Sequence, residues 1–288
     1  VWPLGSLAEN PFRVEDGIAR GPGVFDMKGG IVCLLEALRA LEGQPRRPLW
    51  VLFNSDEETG SRSSRGLIED LARSCAHALV FESPLAGGAL KTARKGTGRY
   101  TIRVEGRAAH AGVEPEKGIS AIEEAARLVL AAHALNAPAE GTTLNVGVLR
   151  GGTRANVVAA QAEMEVDVRV ARADEAARVD EVLRRLSPSL PGAVIRTEGG
   201  LNRPPMERIP ATAALFERAQ GVAASLGFTL DEGATGGGSD GNFTAALGLG
   251  TLDGLGPEGA GAHAANEQVV VDSMPRRAAF IAGLLETL

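Results

Sequence analysis

A chain of 288 residues with 44% hydrophobic and 23% charged residues has the composition of an ordinary globular protein of about two domains. A formal net charge of −6 at pH 7, with one Tyr and two Trp, argues against a phosphate-binding surface or a platform for stacked bases. Nucleic acid is excluded as a partner on these grounds, and a membrane-spanning helix is excluded because no apolar run is long enough. Cys33 and Cys75 are too few for a disulfide framework and sit in apolar helical context, where a small buried side chain is the ordinary role. The chain begins at Val1 with no signal-peptide pattern after it, which reads as a fragment.

In chain order, Gly17 to Gly23 is turn-rich and leads to Asp26. Ile31, Leu34, Leu35, Leu38 and Leu41 then recur at helical spacing, so Asp26 stands at a helix start. Leu49 to Phe53 reads as a buried strand ending at the acidic run Asp56-Glu57-Glu58, a helix is expected around Arg65 to Arg73, and Ala78 to Phe81 reads as a second strand ending at Glu82. Strands alternating with helices predict a mostly parallel sheet with helices on both faces. Ligands of such sheets bind beyond the carboxyl ends of the strands, where Glu57, Glu58 and Glu82 fall.

Near Gly96 the pattern changes, because Tyr100 to Glu105 alternates apolar with polar residues like a sheet with one wet face. A helix over about Ile119 to Leu135, strands near Thr142 to Leu149 and Val157 to Val170, a helix around Asp174 to Leu186 and a strand near Val194 to Thr197 complete a β-α-β-β-α-β order. That order is ferredoxin-like, and it predicts a domain of residues 96–205 inserted into an α/β domain of residues 1–95 and 206–288. After Pro204-Pro205 and Pro210, a helix from about Ala211 to Leu226, a Gly-rich run, a strand near Leu249 and a helix from Pro275 close the first domain.

Adjacent carboxylates at Glu57 and Glu58 repel each other beyond a buried strand, and a cation is the natural neutraliser; a solvated acidic turn is the plain alternative. Asp26, Glu82 and a loop histidine, His263, are positioned to join them, and mixed oxygen and imidazole donors suit zinc, with cobalt or manganese as alternatives. The run Gly236-Gly237-Gly238-Ser239-Asp240 lacks the Lys-Ser/Thr ending of a nucleotide loop and predicts close backbone approach to a substrate at Gly237, with Asp240 capping the following helix. His77 and His133 read as structural.

Gly21-Pro22-Gly23-Val24-Phe25-Asp26-Met27-Lys28-Gly29-Gly30, the Asp-Glu-Glu-Thr-Gly run, Phe81-Glu82-Ser83-Pro84, Gly106 to Gly112 with His110, and Gly236 to Asp240 together resemble one group along essentially the whole chain. It is the zinc metallopeptidase family containing glutamate carboxypeptidase, acetylornithine deacetylase and succinyl-diaminopimelate desuccinylase, and the likeness is strongest to the glutamate carboxypeptidase branch. The resemblance implies two zinc ions bridged by Asp26, with Glu58 and His263 at one and Glu82 at the other, and Glu57 as the general base. It further implies that His110 reaches into a partner subunit to stabilise an oxyanion, so that the inserted domain serves as lid and dimerisation domain of a homodimer, and that Asn156 and Arg203 hold a substrate carboxylate. The second zinc site of the family takes a histidine from a His-x-Asp motif upstream of a segment like Val1-Trp2-Pro3, and this chain begins after it.

The expected activity is hydrolysis of an amide bond beside a free carboxylate in a small peptide. An N-acyl amino acid deacylase is the alternative within that chemistry, and a non-catalytic metal- or peptide-binding homologue the alternative outside it.

Overall fold

The computed structural model describes residues 2–3, 5–44 and 47–288. In chain order, α1 (Ser6–Glu9), β1 (Arg13–Glu15) and β2 (Ile18–Arg20) precede α2 (Gly29–Ala40), α3 (Arg65–Ala72), β3 (His77–Leu79) and β4 (Leu90–Arg94). There follow β5 (Gly96–Glu105), α4 (Ala121–His133), β6 (Thr143–Gly151), β7 (Gln161–Val170), α5 (Ala173–Arg184) and β8 (Val194–Arg203). The last stretch holds α6 (Pro210–Ser225), β9 (Glu232–Thr235), α7 (Gly241–Ala246), β10 (Gly250–Leu252), β11 (Gly259–Ala260), β12 (Gln268–Val270) and α8 (Ser273–Thr287). The architecture is mixed α/β, with parallel and antiparallel sheets in one chain.

The chain divides into two compact units, one of Val1–Arg94, Met206–Thr235 and Ser239–Leu288, the other of Lys95–Pro205 with Gly236–Gly238. The three glycines join the second unit because Gly238 lies against it: a Cβ there would stand 2.8 Å from Arg203 Cδ and 3.2 Å from Thr97 Cγ2.

The second unit is an antiparallel sheet of order β6-β7-β5-β8. Strand alternation decides which side chains meet: Tyr100, Ile102 and Val104 of β5 and Met164, Val166 and Val168 of β7 are buried, packed with Leu128 of α4 and Val179 and Leu183 of α5. Each large apolar side chain so buried contributes roughly 1.5–3 kcal/mol. Ser120 caps α4 by accepting a hydrogen bond from the Glu123 N–H at 3.2 Å.

In the first unit, β3 pairs in parallel with β10 and β4 in parallel with β9, while β1-β2-β12-β11 form a four-stranded antiparallel sheet. Among the described residues the parallel pairing expected from the sequence takes the form of two two-stranded pairs, beside an antiparallel sheet, and the segment read as turn-rich contains β2. Leu49 to Phe53 is a second correction, since no strand forms there and Trp50 and Phe53 remain 68% and 58% exposed. Apolar content signals a preference for burial, whereas a strand also needs a hydrogen-bonding neighbour, and this run pairs with none among the described residues. The core here is helical as much as sheet-like: Cys33, Leu34 and Ala37 of α2 pack with Ile281 and Leu285 of α8, and Leu215 and Phe216 of α6 pack with Leu252 and Phe280.

Candidate metal centre

The site in the first unit begins with a close approach. A Cβ on Gly30, in the first turn of α2, would lie 2.0 Å from the Phe81 carbonyl oxygen, so only glycine lets this helix start abut the chain leaving β3. Asp26, just before α2, and Glu82, just after Phe81, consequently come close enough for their carboxyl groups to interact. Glu82 is buried, and burial, followed by the negative charges of Asp26 and Asp253, pushes its carboxyl well above the usual carboxylate range. Glu57 acts on it in the same sense.

Glu57 and Glu58 occupy a short helical turn, Glu57–Thr59, held by the carboxylates around it. Asp56 accepts from the Ser63 N–H and hydroxyl at 2.9 and 2.6 Å and from the Ser64 N–H and hydroxyl at 3.3 and 2.6 Å. Those bonds, the Ser63 hydroxyl foremost, hold its carboxyl well below the usual range. Asp240 does not cap α7 with its side chain as the sequence suggested; it accepts instead from Ser61 Oγ at 2.5 Å and Asn54 Nδ2 at 2.8 Å, tying the acidic turn to the far loop.

His263 has φ of 62°, the left-handed region, which costs a non-glycine residue about 1–2 kcal/mol. Its Nε2 lies 3.0 Å from Asp26 Oδ2 and 3.2 Å from Glu58 Oε1. One donor atom each from Asp26, Glu58 and His263 falls within 4.8 Å of the others. Tetrahedral zinc with ligands at about 2.0–2.2 Å sets its donors about 3.4 Å apart, so this donor set fits a divalent metal in both chemistry and spacing. Glu82, close enough to Asp26 for their carboxyl groups to interact, is not among the three converging donors, and neither is Glu57, which is half-buried.

The remaining candidates lie in the second unit. His110 is exposed; its Nδ1 accepts from the Gly112 N–H at 3.2 Å, and its backbone pairs with Val157. The Ala111 N–H donates to the Asn156 carbonyl at 3.0 Å, so His110 and Asn156 share one edge. Arg203 ends β8, buried, next to Gly238 and its exposed neighbour Gly237. His133 Nε2 accepts from the Val146 N–H at 3.3 Å, and His77 stands on β3, away from the converging donors.

Sequence reasoning passed over the anchors behind the site. Glu267, fully buried, accepts from Trp2 Nε1 at 2.7 Å and from the N–H groups of Gly23, Phe25 and Asp26 at 2.7, 2.9 and 2.9 Å. Asp253, also fully buried, takes Arg94 Nε at 2.6 Å and Nη2 at 3.1 Å together with Ser239 Oγ at 2.5 Å. Buried Lys91 donates to the Ser83 carbonyl at 2.5 Å, beside Glu82. The position of Asp253 just past an apolar strand was a usable signal; Glu267, in a polar loop, offered none.

Two carboxylates and an imidazole thus converge on a mixed α/β scaffold closely enough to hold a metal ion, with the carboxyl of Glu82 alongside. Residues 1–287 match the family described as Peptidase family M20/M25/M40, and the chain belongs to that family. Carboxypeptidase G2 of Pseudomonas sp. (strain RS-16) is 34% identical over 296 residues, an alignment spanning 100% of this chain and 71% of that protein. Acetylornithine deacetylase of Proteus mirabilis is 31% identical over 179 residues, 57% of this chain and 46% of that protein. Among solved structures, the YXEP protein of Bacillus subtilis, described as a dinuclear metal binding peptidase from the M20 family, matches with a TM-score of 0.71 at 15% identity over 98% of this chain and 89% of that chain, a likeness of fold. The chain is a carboxypeptidase-like hydrolase homologue, of the peptidase or amidohydrolase kind.

Proposed function

We propose that this chain carries the catalytic centre of a di-metal hydrolase that cleaves an amide bond next to a free carboxylate, as a glutamate-type carboxypeptidase does. The observation that carries the reading is the convergence of Asp26, Glu58 and His263, with the buried carboxyl of Glu82 close enough to Asp26 to interact with it. Asp26 would bridge two ions, Glu58 and His263 completing one site and Glu82 contributing to the other. Zinc suits these donors, with cobalt or manganese as substitutes. Asp26 and Glu82 would be the donors of this chain to the second ion.

When bound, the metal pair supplies Lewis acidity and acidifies water. Glu57, close enough to Glu82 for their charges to interact, takes the proton from the attacking water and returns it to the leaving nitrogen. Arg203 and Asn156 pair with the substrate carboxylate, Arg203 through its planar fork, with Gly237 admitting the substrate backbone. His110, exposed on the second unit, donates to the developing oxyanion from the partner subunit of a homodimer.

The likeness to acetylornithine deacetylase supports a second reading, an N-acyl amino acid deacylase with the same machinery. Metal analysis and turnover of C-terminal glutamate amides, folate-like conjugates, dipeptides and N-acyl amino acids test both. Cleavage of glutamate amides is expected, and cleavage of N-acyl amino acids alone moves the assignment to the deacylase. Metal-loaded dimer that turns over neither class sinks the hydrolase and leaves a binding homologue.

A further inference from the structure

We infer that Glu267 is a positioning residue that sets the spacing between two of the metal ligands, an inference that rests on the metal-centre reading above. Its two carboxylate oxygens receive four N–H donors among the described residues: Trp2 Nε1 and the Gly23 N–H on Oε2, the Phe25 and Asp26 N–H groups on Oε1. A buried acceptor pair filled by several backbone donors of one loop fixes that loop, because each donor lost strands a polar group away from water. The loop so fixed is the one that presents Asp26.

The other end of the argument is His263. It lies four residues before Glu267 in a segment closed by the Ala264 N–H on the Gly261 carbonyl and the Glu267 N–H on the Ala264 carbonyl, both at 2.9 Å. One segment therefore grips the Asp26 main chain through Glu267 while setting His263 Nε2 3.0 Å from the Asp26 carboxylate. Gly259 completes the fit, since a Cβ there would stand 2.5 Å from the ring of Phe25, the residue between two of the gripped amides. The aspartate and the histidine are thereby registered to each other before any metal arrives, which lowers the ordering cost of binding.

Glu267→Gln tests this, because an amide offers one acceptor oxygen and turns an NH2 toward backbone donors. In the metal-free chain, hydrogen exchange at the Gly23, Phe25 and Asp26 amides is expected to quicken by about tenfold or more, and Co2+ titration followed by absorption is expected to show affinity weaker by about 10–100-fold, the effect usual for residues that orient ligands. Glu124→Gln is the control: Glu124 is equally buried and accepts the Ser189 and Leu190 N–H groups in the second unit, so its loss lowers thermal stability while leaving Co2+ affinity and those amides unchanged. Should Glu267→Gln fail to fold, Glu267→Asp, shorter by one methylene, is expected to move both readouts the same way by less. Unchanged exchange, or Co2+ affinity within about twofold of wild type, overturns the inference. Wild-type chain that binds no Co2+ overturns the metal-centre reading instead, and the exchange data then judge the anchoring role by itself.

Discussion

The two units hold their candidate residues by opposite means. In the second, His110 and Asn156 stand exposed on the segments that follow β5 and precede β7, in a sheet whose inner face is saturated with Tyr100, Ile102, Met164 and Val166, so apolar packing supplies the rigidity and the polar residues cost nothing to the core. In the first, the candidate ligands sit on loops, and buried polar groups hold the loops: Glu267 under Asp26, Asp253 with Arg94 and Ser239, Asp56 and Asp240 around the acidic turn. A metal-binding cluster of carboxylates is self-repelling before the metal arrives, and apolar packing cannot orient it; donors aimed from behind can. The candidate residues of the first unit should therefore be displaced by single polar substitutions behind them, whereas those of the second rest on apolar packing.

The largest contrast is expected in catalysis. Glu57→Gln keeps the shape of the acidic turn and removes the proton acceptor, so turnover should fall by about 10²–10⁴-fold with metal content unchanged, as read by steady-state assay beside elemental analysis. Undiminished turnover would remove Glu57 from the role of base. Next comes stability: Arg94→Met leaves fully buried Asp253 without its ion-pair partner and should cost about 3–5 kcal/mol in urea unfolding. Arg103→Met, which breaks exposed pairs to Glu163 and Glu198 in the second unit, should cost about 1 kcal/mol or less. Equal losses would mean the two units are not held differently after all.

His110→Ala should cost about 10²–10³-fold in turnover, the usual weight of one oxyanion donor, with no change in metal content or melting temperature. Because its ring is exposed and accepts one hydrogen bond, from the Gly112 N–H, a fall in stability would instead assign it a turn-closing role. Sedimentation of the same variant separates loss of a dimer contact from loss of a donor.

The second unit was legible because its elements obey one rule. Period-two alternation in β5 and β7 and amphipathic spacing in α4 and α5 write burial directly into the sequence. The first unit obeys several rules at once, and the readings that missed did so for separable reasons. Leu49 to Phe53 has strand composition without a partner, and β2 lies inside a Gly-rich stretch because its neighbours β1 and β12 supply the pairing. Asp26, Glu58, Glu82 and His263 were found because their motifs stand out; that three of them converge needed the close approach at Gly30 and the left-handed turn at His263. Glu267 was invisible, since nothing local distinguishes a loop glutamate that accepts four hydrogen bonds from one that faces water.

The smallest predicted effect asks whether acid finds the first unit before the second. His77 begins β3, and its Nδ1 is buried with no hydrogen-bond partner among the described residues. Burial, helped by the nearby charges of Arg218 and Arg47, holds its imidazole below the ordinary value of 6.5. The unfolded chain therefore takes up this proton before the folded one, so the stability His77 contributes is present above about pH 6.5 and is lost as pH falls through the lower folded value. His77→Gln should remove that part of the slope: wild type and variant diverge in melting temperature as pH drops from about 7.5 to about 5.5, with the variant the flatter. Because His77 pairs with Gly250 in the parallel ladder of the first unit, hydrogen exchange in β3 and β10 should quicken over the same range while β5 and β7 stay protected. Parallel curves for the two proteins would show that the imidazole charges as readily in the folded chain as outside it, and that the acid sensitivity of the first unit lies in its carboxylates alone.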